Sequence, residues 1–350
     1  MNYIGSKLKL SSWIEEEVKN IVGEDLSEKV FCDIFAGTGI IGRTFKKDVK
    51  KVISNDLEHY SYVLNKNYIE NHEAIEDKEK YIDKLNALPL IEDGFIYQNY
   101  CMGSGSERQY FSDENGKKID TIRTKIREWK ENHTINDSAY YFLLASLLES
   151  ADKVANTASV YGAFLKHIKK SASKELVLKP AHFIEDANTH EVYNMDSNEL
   201  IKQISGDILY LDPPYNQRQY SANYHILNTI TEYDDFTPKG KTGLREYTRS
   251  NYCKKGVVHS NFEELIKNAQ FHYIFLSYNN EGLMSEEDVK KIMQKYGKYS
   301  LQTKEYQRFK ADKTENRKHK ADKTYEYLHI LEKRNLNHHS ILKYNQLEIV

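Results

Sequence analysis

The chain has 350 residues, 29% of them charged, and a formal net charge of −2, enough length for one large or two medium domains. No apolar run approaches the roughly 18 residues of a bilayer span, and Met1 to Leu10 lacks the apolar stretch of a signal peptide, so no membrane partner is expected. Cys32, Cys101 and Cys253 are odd in number and far apart, which excludes a disulfide framework or a zinc site by spacing and fits a reducing cytoplasm.

The near-zero net charge conceals local blocks. Lys153 to Lys179 carries six lysines against one glutamate, Lys239 to Lys255 six basic residues against one acid, and Lys290 to Lys320 eleven against three. One such block can be a solvated helix face. Three of them, interleaved with Tyr, Asn and Gln, point to a polyanion surface, without separating DNA from RNA.

Tyr3-Ile4-Gly5-Ser6-Lys7 opens the chain. A helix is predicted from about Ser12 to Ile21, capped by Ser11 or Ser12, with Trp13, Val18 and Ile21 inward. Lys29 to Phe35 reads as a strand. Phe35-Ala36-Gly37-Thr38-Gly39-Ile40-Ile41-Gly42 then supplies a glycine turn, with a helix from about Thr38 that aims its amides at a ligand. Gly37, Gly39 and Gly42 satisfy the dinucleotide fingerprint, which alone fits NAD, FAD or an adenosyl cofactor. A second strand, Lys51 to Ser54, ends in Asn55-Asp56, and Asp56 stands 19 residues beyond Gly37, where a carboxylate can accept both ribose hydroxyls. Asp56 could instead serve only as a helix cap. The whole set reads as a nucleoside-binding βαβ unit.

From about Ser61 to Thr189 the βα rhythm breaks. Ser61 to Leu88 reads as one helix, Asn99 to Gly116 as a loop, and Lys118 to Glu131 and Asp137 to Val154 as helices. Residues 96–190 are thus a mainly helical insertion in a discontinuous domain of residues 1–95 and 191–350. Strands return at Glu191 to Asn194, closed by Asp196, with a short helix over Leu200 to Ile204. A buried strand follows over Gly206 to Leu211. Tyr220 to Ile230 reads helical and Phe236 to Ser260 as a long basic loop of functional length. Asn261 to Asn268 and Glu286 to Tyr296 are further helices and Tyr273 to Ser277 a strand. Leu301 to Phe309 and Tyr325 to Leu331 form an edge hairpin.

The strand over Gly206 to Leu211 runs into Asp212-Pro213-Pro214-Tyr215. Two prolines cannot extend a central strand, but they hold a carboxylate, free carbonyls and an aromatic ring rigidly at its carboxyl end. Ligands of open α/β sheets bind at that end. An exocyclic amine on a base is a poor nucleophile, because its lone pair is delocalised into the ring. Asp212 and the Pro213 carbonyl can each accept one of its N–H bonds, drawing the nitrogen toward tetrahedral geometry and aiming the lone pair. Tyr215 can stack on the base. Such a transfer needs no metal. A base in a duplex must first leave the helix, and stacking in the pocket offsets part of the unstacking cost.

These residues resemble the Dam-like, D12-class DNA N6-adenine methyltransferases. Tyr3 to Lys7 looks like that family's N-terminal motif, Asp33 to Gly39 its glycine motif and Asp212 to Tyr215 its catalytic motif, in the family's order. Ser277-Tyr278-Asn279-Asn280 and Lys323 to Leu328 are similar to its C-terminal segments. The resemblance implies a class I methyltransferase fold, a Rossmann-like, mostly parallel sheet with one antiparallel edge hairpin, and S-adenosylmethionine as cofactor. It implies that Tyr3, Lys7, Asp33, Phe35, Gly37, Thr38, Gly39, Asp56 and Asp196 hold the cofactor, and that Asp212, Pro213, Pro214 and Tyr215 carry catalysis. Double-stranded DNA is the expected partner, reached by Arg218, Tyr220, Lys241, Arg245 and Arg249 and read by the insertion. The resemblance also implies the modification arm of a restriction-modification system, with a separately encoded endonuclease, and a monomer or weak dimer in the cytoplasm. Methylation of RNA or of cytosine N4 stays open, as does a DNA-binding protein that has lost catalysis. A nicotinamide oxidoreductase shares only the glycine turn.

Overall fold

The computed structural model describes residues 7–307 and 323–334, and among these residues seven strands form one sheet. They are β1 Val30–Asp33, β2 Lys51–Asn55, β3 Glu191–Tyr193, β4 Ser205–Leu211, β5 Gln270–Asn279, β6 Gly297–Gln307 and β7 Lys323–Lys333. The order is β3-β2-β1-β4-β5-β7-β6, parallel from β3 to β5, with β7 antiparallel to both β5 and β6. The α/β sheet with its edge hairpin is therefore as the sequence predicts.

The parallel strands are apolar on both faces because helices cover both. Phe31, Ile208, Tyr210 and Phe275 point to one side, where they meet Trp13, Ile14 and Val18 of the helix Ser11–Val22 and Ile41 and Phe45 of Ile40–Phe45. Cys32, Leu209, Leu211, Ile274 and Leu276 point to the other, against Phe262, Leu265 and Ile266 of Val258–Asn268 and Val289 and Met293 of Glu286–Gln294. A third apolar cluster joins Tyr60 and Leu64, the helices Asp113–Glu131 and Asp137–Val154, and Ile226 and Ile230 of His225–Glu232. The helical insertion thus shares one core with the helix that follows the proline turn.

Several local expectations are corrected. In the first helix Ile14, not Ile21, completes the inward face, for Ile21 stays 37% exposed. Leu10 stands at the cap position and no side chain caps that end. The long helix expected over Ser61 to Leu88 is three pieces: His59–Asn65, a π-helical turn Lys66–Glu70, and Lys78–Asn86. Tertiary bonds break it, because Asn71 turns extended (ψ 120°), its side chain donating to Ser138 O at 2.9 Å while its carbonyl accepts from Lys46 Nζ at 2.6 Å. Asp113–Glu131 starts inside the expected loop, since Ser112 accepts from the Asn115 amide and caps it. The insertion is helical only to Val154, and residues 155–190 hold no helix. The short helix before β4 is Ser197–Leu200, placed earlier than expected because Asp196 caps it. Tyr220 to Ile230 is split into Tyr220–Asn223 and His225–Glu232. No helix among the described residues is long and apolar enough to cross a membrane.

Candidate active site

Strand register gathers three acids at one end of the sheet. Asp33, the last residue of β1, is level with Ser54 of β2 and with Tyr210 of β4. Asp56 and Asp212 each lie two residues beyond those partners. Between β1 and β4 the strand order reverses, the position at which open α/β sheets bind ligands.

The glycine turn leaves β1 here. Gly37 (φ 52°) and Gly39 (φ 73°) adopt left-handed backbone. Asp56 Oδ2 accepts the Gly37 amide at 2.8 Å and its Oδ1 the Glu58 amide at 2.9 Å, so the carboxylate braces the turn as well as facing the cavity. Asn65 Nδ2 donates to Gly37 O at 3.1 Å, Ser61 Oγ donates to the same carbonyl, and Ser54 Oγ donates to Asn65 Oδ1 at 2.9 Å. The turn is therefore fixed from below by a polar face of the next helix.

Asp212 and Glu326 flank one buried ammonium. Lys7 Nζ is 3.0 Å from Asp212 Oδ1 and 3.0 Å from Glu326 Oε1, and Ser277 Oγ donates to that Glu326 oxygen at 2.6 Å. Burial pushes the Asp212 carboxyl up to about 6, against the pull of Lys7 and with a further push from Glu326. Burial works against the Lys7 charge, yet Asp212 and Glu326 outweigh it and hold the ammonium well above its ordinary range. Asp33 is pushed well up by burial and by the neighbouring Asp212 and Asp56, and its Oδ1 is buried without a hydrogen-bond partner. Glu58 accepts from Ser221 Oγ at 2.5 Å and Asn228 Nδ2 at 2.7 Å, and burial pushes it up to about 7.

These groups enclose a cavity of about 920 Å³ counting its open mouth. Lys7, Asp33, Phe35, Gly37, Thr38, Asp56, Asp196, Asp212, Pro214 and Tyr220 all line it. Gly39 lies behind the turn against Asn65, while Tyr215 packs on the core below β4 with its carbonyl accepting the Leu283 amide at 3.0 Å. Pro213 is buried. Asp196 also caps its helix, accepting the Asn198 amide at 2.9 Å. Tyr3 lies outside the described residues. Residues the sequence reading missed include Glu58, Gln219, Ser250 and Tyr252 on the cavity wall. Tyr252 meets Phe35 edge-on with ring centres 4.9 Å apart. Only the polar i, i+4 pair Ser61 and Asn65, eight and twelve residues after Ile53, offered a local signal for the glycine-turn support. Among the described residues no cluster of three or more His, Cys, Asp or Glu is arranged to hold a metal ion.

The basic loop after the proline turn is fastened to the helical layer. Tyr100 OH donates to Gly243 O at 2.8 Å, Arg108 Nη2 to Gly240 O at 3.1 Å and Tyr110 OH to Thr242 O at 3.2 Å. Arg218, Lys241 and Arg249 are exposed. Arg245 differs from them. It is 9% exposed, forks onto Asp234 at 3.1 and 3.2 Å, pairs with Glu232, and stacks over Phe236. Its cation is committed inside the protein.

Comparison with known proteins fits this geometry. The D12 class N6 adenine-specific DNA methyltransferase family matches residues 3–292. The chain is 66% identical to Type II methyltransferase M.NlaIII of Neisseria lactamica, over 95% of this chain and 99% of that one. It is 40% identical to Type II methyltransferase M.CviAII of Paramecium bursaria Chlorella virus 1, over 89% and 93%. It is 39% identical to Type II methyltransferase M.FokI of Planomicrobium okeanokoites, covering 89% of this chain but half of that longer protein. With Lys7, the glycine turn and Asp212 on one cavity of a sheet of the expected topology, and the family matched over most of its length, this chain belongs to the D12 class of N6 adenine-specific DNA methyltransferases.

Proposed function

We propose that the protein transfers methyl from S-adenosylmethionine to adenine N6 within a specific double-stranded DNA sequence, as the modification arm of a restriction-modification system. The observation that carries this reading is Asp212, held at the carboxyl end of β4 on the same cavity as the glycine turn. The donor set suits a cationic adenosyl cofactor. Asp33 offers a buried oxygen with no partner, and the acids outnumber the single Lys7 ammonium. Asp33, Phe35, Gly37 and Thr38 would hold the methionine end, with Gly39 shaping the turn, Asp56 the ribose and Asp196 the adenine, with Tyr3 and Lys7 closing from the N-terminal side. When bound, the cofactor supplies a methyl group made electrophilic by its sulfonium.

The chain's own residues position the amine. Asp212 and the Pro213 carbonyl each accept one N–H of a flipped adenine, Pro214 keeps that turn rigid, and Tyr220 on the cavity wall gives the base aromatic surface, while Tyr215, packed on the core, anchors the turn instead of stacking. Exclusion of water strengthens both acceptors. We assign residues 1–95 and 191–350 to the catalytic part and 96–190 to target recognition, joined through the shared helical core. The enzyme would act in the cytoplasm as a monomer or weak dimer, beside a separately encoded endonuclease.

For DNA contact the exposed Arg218, Lys241 and Arg249 are the candidates, whereas Arg245 orders the loop. Lys241→Ala and Arg249→Ala should each weaken DNA binding and reduce the salt slope by about 0.9 per lost phosphate contact. Binding titrations between low and moderate salt check this, and an unchanged slope returns that loop to ordinary solvated surface. Incubation of duplex DNA with tritium-labelled S-adenosylmethionine, followed by nucleoside separation, tests the reaction itself. Label should run with N6-methyladenine. Label in N4-methylcytosine selects the cytosine alternative, and no label refutes the reading.

A further inference from the structure

We infer that Glu326 is a positioning residue for methyl transfer, holding Lys7 so that Lys7 occupies one oxygen of Asp212 and leaves the other for the base. This rests on the role proposed above for Asp212. Lys7, Asp212, Ser277 and Glu326 come from the N-terminal turn, from just beyond β4, from β5 and from β7, and meet only because β7 inserts between β5 and β6. Glu326 is level with Asn279 of β5, so its carboxylate reaches back along the sheet to Ser277.

The geometry is a clamp with one cation between two acids. Lys7 Nζ sits 3.0 Å from each carboxylate, and the Lys7 and Glu326 side chains are each 8% exposed. A buried ammonium held by Asp212 alone could follow that side chain as it turns. With Glu326 fixed by the Ser277 hydroxyl at 2.6 Å, the ammonium has a second anchor that belongs to a different strand. Lys7 contacts Asp212 Oδ1, and Oδ2 is the oxygen assigned to a substrate N–H. An acceptor must be ionised; burial is the main force against that at Asp212, and the charges around it shift the balance. Facing it are Lys7 from the N-terminal turn, Asp33 from β1, Tyr210 from β4, Tyr215 and Tyr220 from the segment beyond it, and Glu326 from β7. Glu326 repels the Asp212 charge and Lys7 attracts it, so the two act on Asp212 with opposite sign.

That opposition gives a signed test. The single-turnover rate of methyl transfer to unmethylated duplex DNA is measured against pH, with cofactor affinity measured separately by calorimetry. Activity falls as pH drops through the Asp212 pKa. Removing a like charge in Glu326→Gln should move this acid limb down by about one pH unit, and should lower the plateau rate several-fold with cofactor affinity unchanged. Removing the opposite charge in Lys7→Met should move the limb up by about one unit or more. A merely structural role for Glu326 predicts a lower rate at every pH with the limb in place. An unmoved limb in Glu326→Gln, or limbs moving the same way in both variants, overturns the inference. If Glu326→Gln does not fold, an unmoved limb in Lys7→Met overturns it equally. Full turnover by Asp212→Ala would instead remove the underlying role of Asp212, so the two failures are told apart.

Discussion

Asp212→Ala should lose methyl transfer by about a thousandfold or more, while S-adenosylmethionine affinity stays within a few-fold of the native protein. The magnitude follows from other preorganised sites, where deleting one group aimed at developing charge costs about 10²–10³ in rate. Here the deleted group is the only carboxylate acceptor proposed for the amine, and the Pro213 carbonyl alone can take just one N–H. The fold should survive the change, because Lys7 keeps Glu326 at 3.0 Å and is not left as a lone buried charge. Single-turnover transfer and cofactor calorimetry on the same preparation check both halves. Rapid turnover would remove the acceptor role, and lost cofactor binding would make Asp212 part of the cofactor site instead.

The second large effect is expected at Gly39. Its φ of 73° costs a non-glycine residue about 1–2 kcal/mol. A Cβ there would also stand 2.5 Å from Asn65 Oδ1. Asn65 has little freedom to yield, because it is buried, accepts from Ser54 Oγ, and donates to Gly37 O and Ser61 O. Displacing it releases the carbonyl that fixes the glycine turn, at about 1 kcal/mol per broken bond. Gly39→Ala should therefore destabilise the protein by about 2 kcal/mol or more and weaken cofactor binding at least about tenfold. Thermal unfolding and calorimetry measure the two. By contrast, Gly105→Ala has open space around its Cβ and should leave cofactor affinity unchanged, though its φ of 82° still carries the backbone cost. Equal cofactor affinity in Gly39→Ala and the native protein would contradict this account of the turn.

The parts of the site legible in the sequence are those whose chemistry is local to the chain. A glycine pair after a strand, an acid after the next strand, and a carboxylate locked by two prolines each announce their geometry within a few residues. The helix Asp137–Val154 was legible for the same reason, with Asn136 capping the Ala139 amide. What was not legible depends on partners distant in sequence. Glu326 falls in a segment similar to a family motif but carries no role in the sequence until β7 lies against β5 and brings it to Lys7. Arg245 looks like its neighbours in a count of charges, because pairing with Glu232 and Asp234 cannot be seen in composition. The helix over Ser61 to Leu88 fails at Asn71, where bonds to Lys46 and Ser138 outweigh a helical pattern. Glu58 ties the Asp56 turn to Ser221 and Asn228 beyond the proline turn, a link across more than 160 residues of chain that no spacing rule could supply.

Asp212 is thus proposed to carry methylation of adenine N6 at a fixed duplex sequence in this cavity. Sequencing that detects modified bases, applied to unmethylated duplex DNA incubated with the protein and S-adenosylmethionine, tests it most directly. The expected result is N6-methyladenine at one recurring sequence, absent from DNA treated with Asp212→Ala. Modification of cytosine, modification without sequence preference, or an unchanged pattern with Asp212→Ala would contradict it.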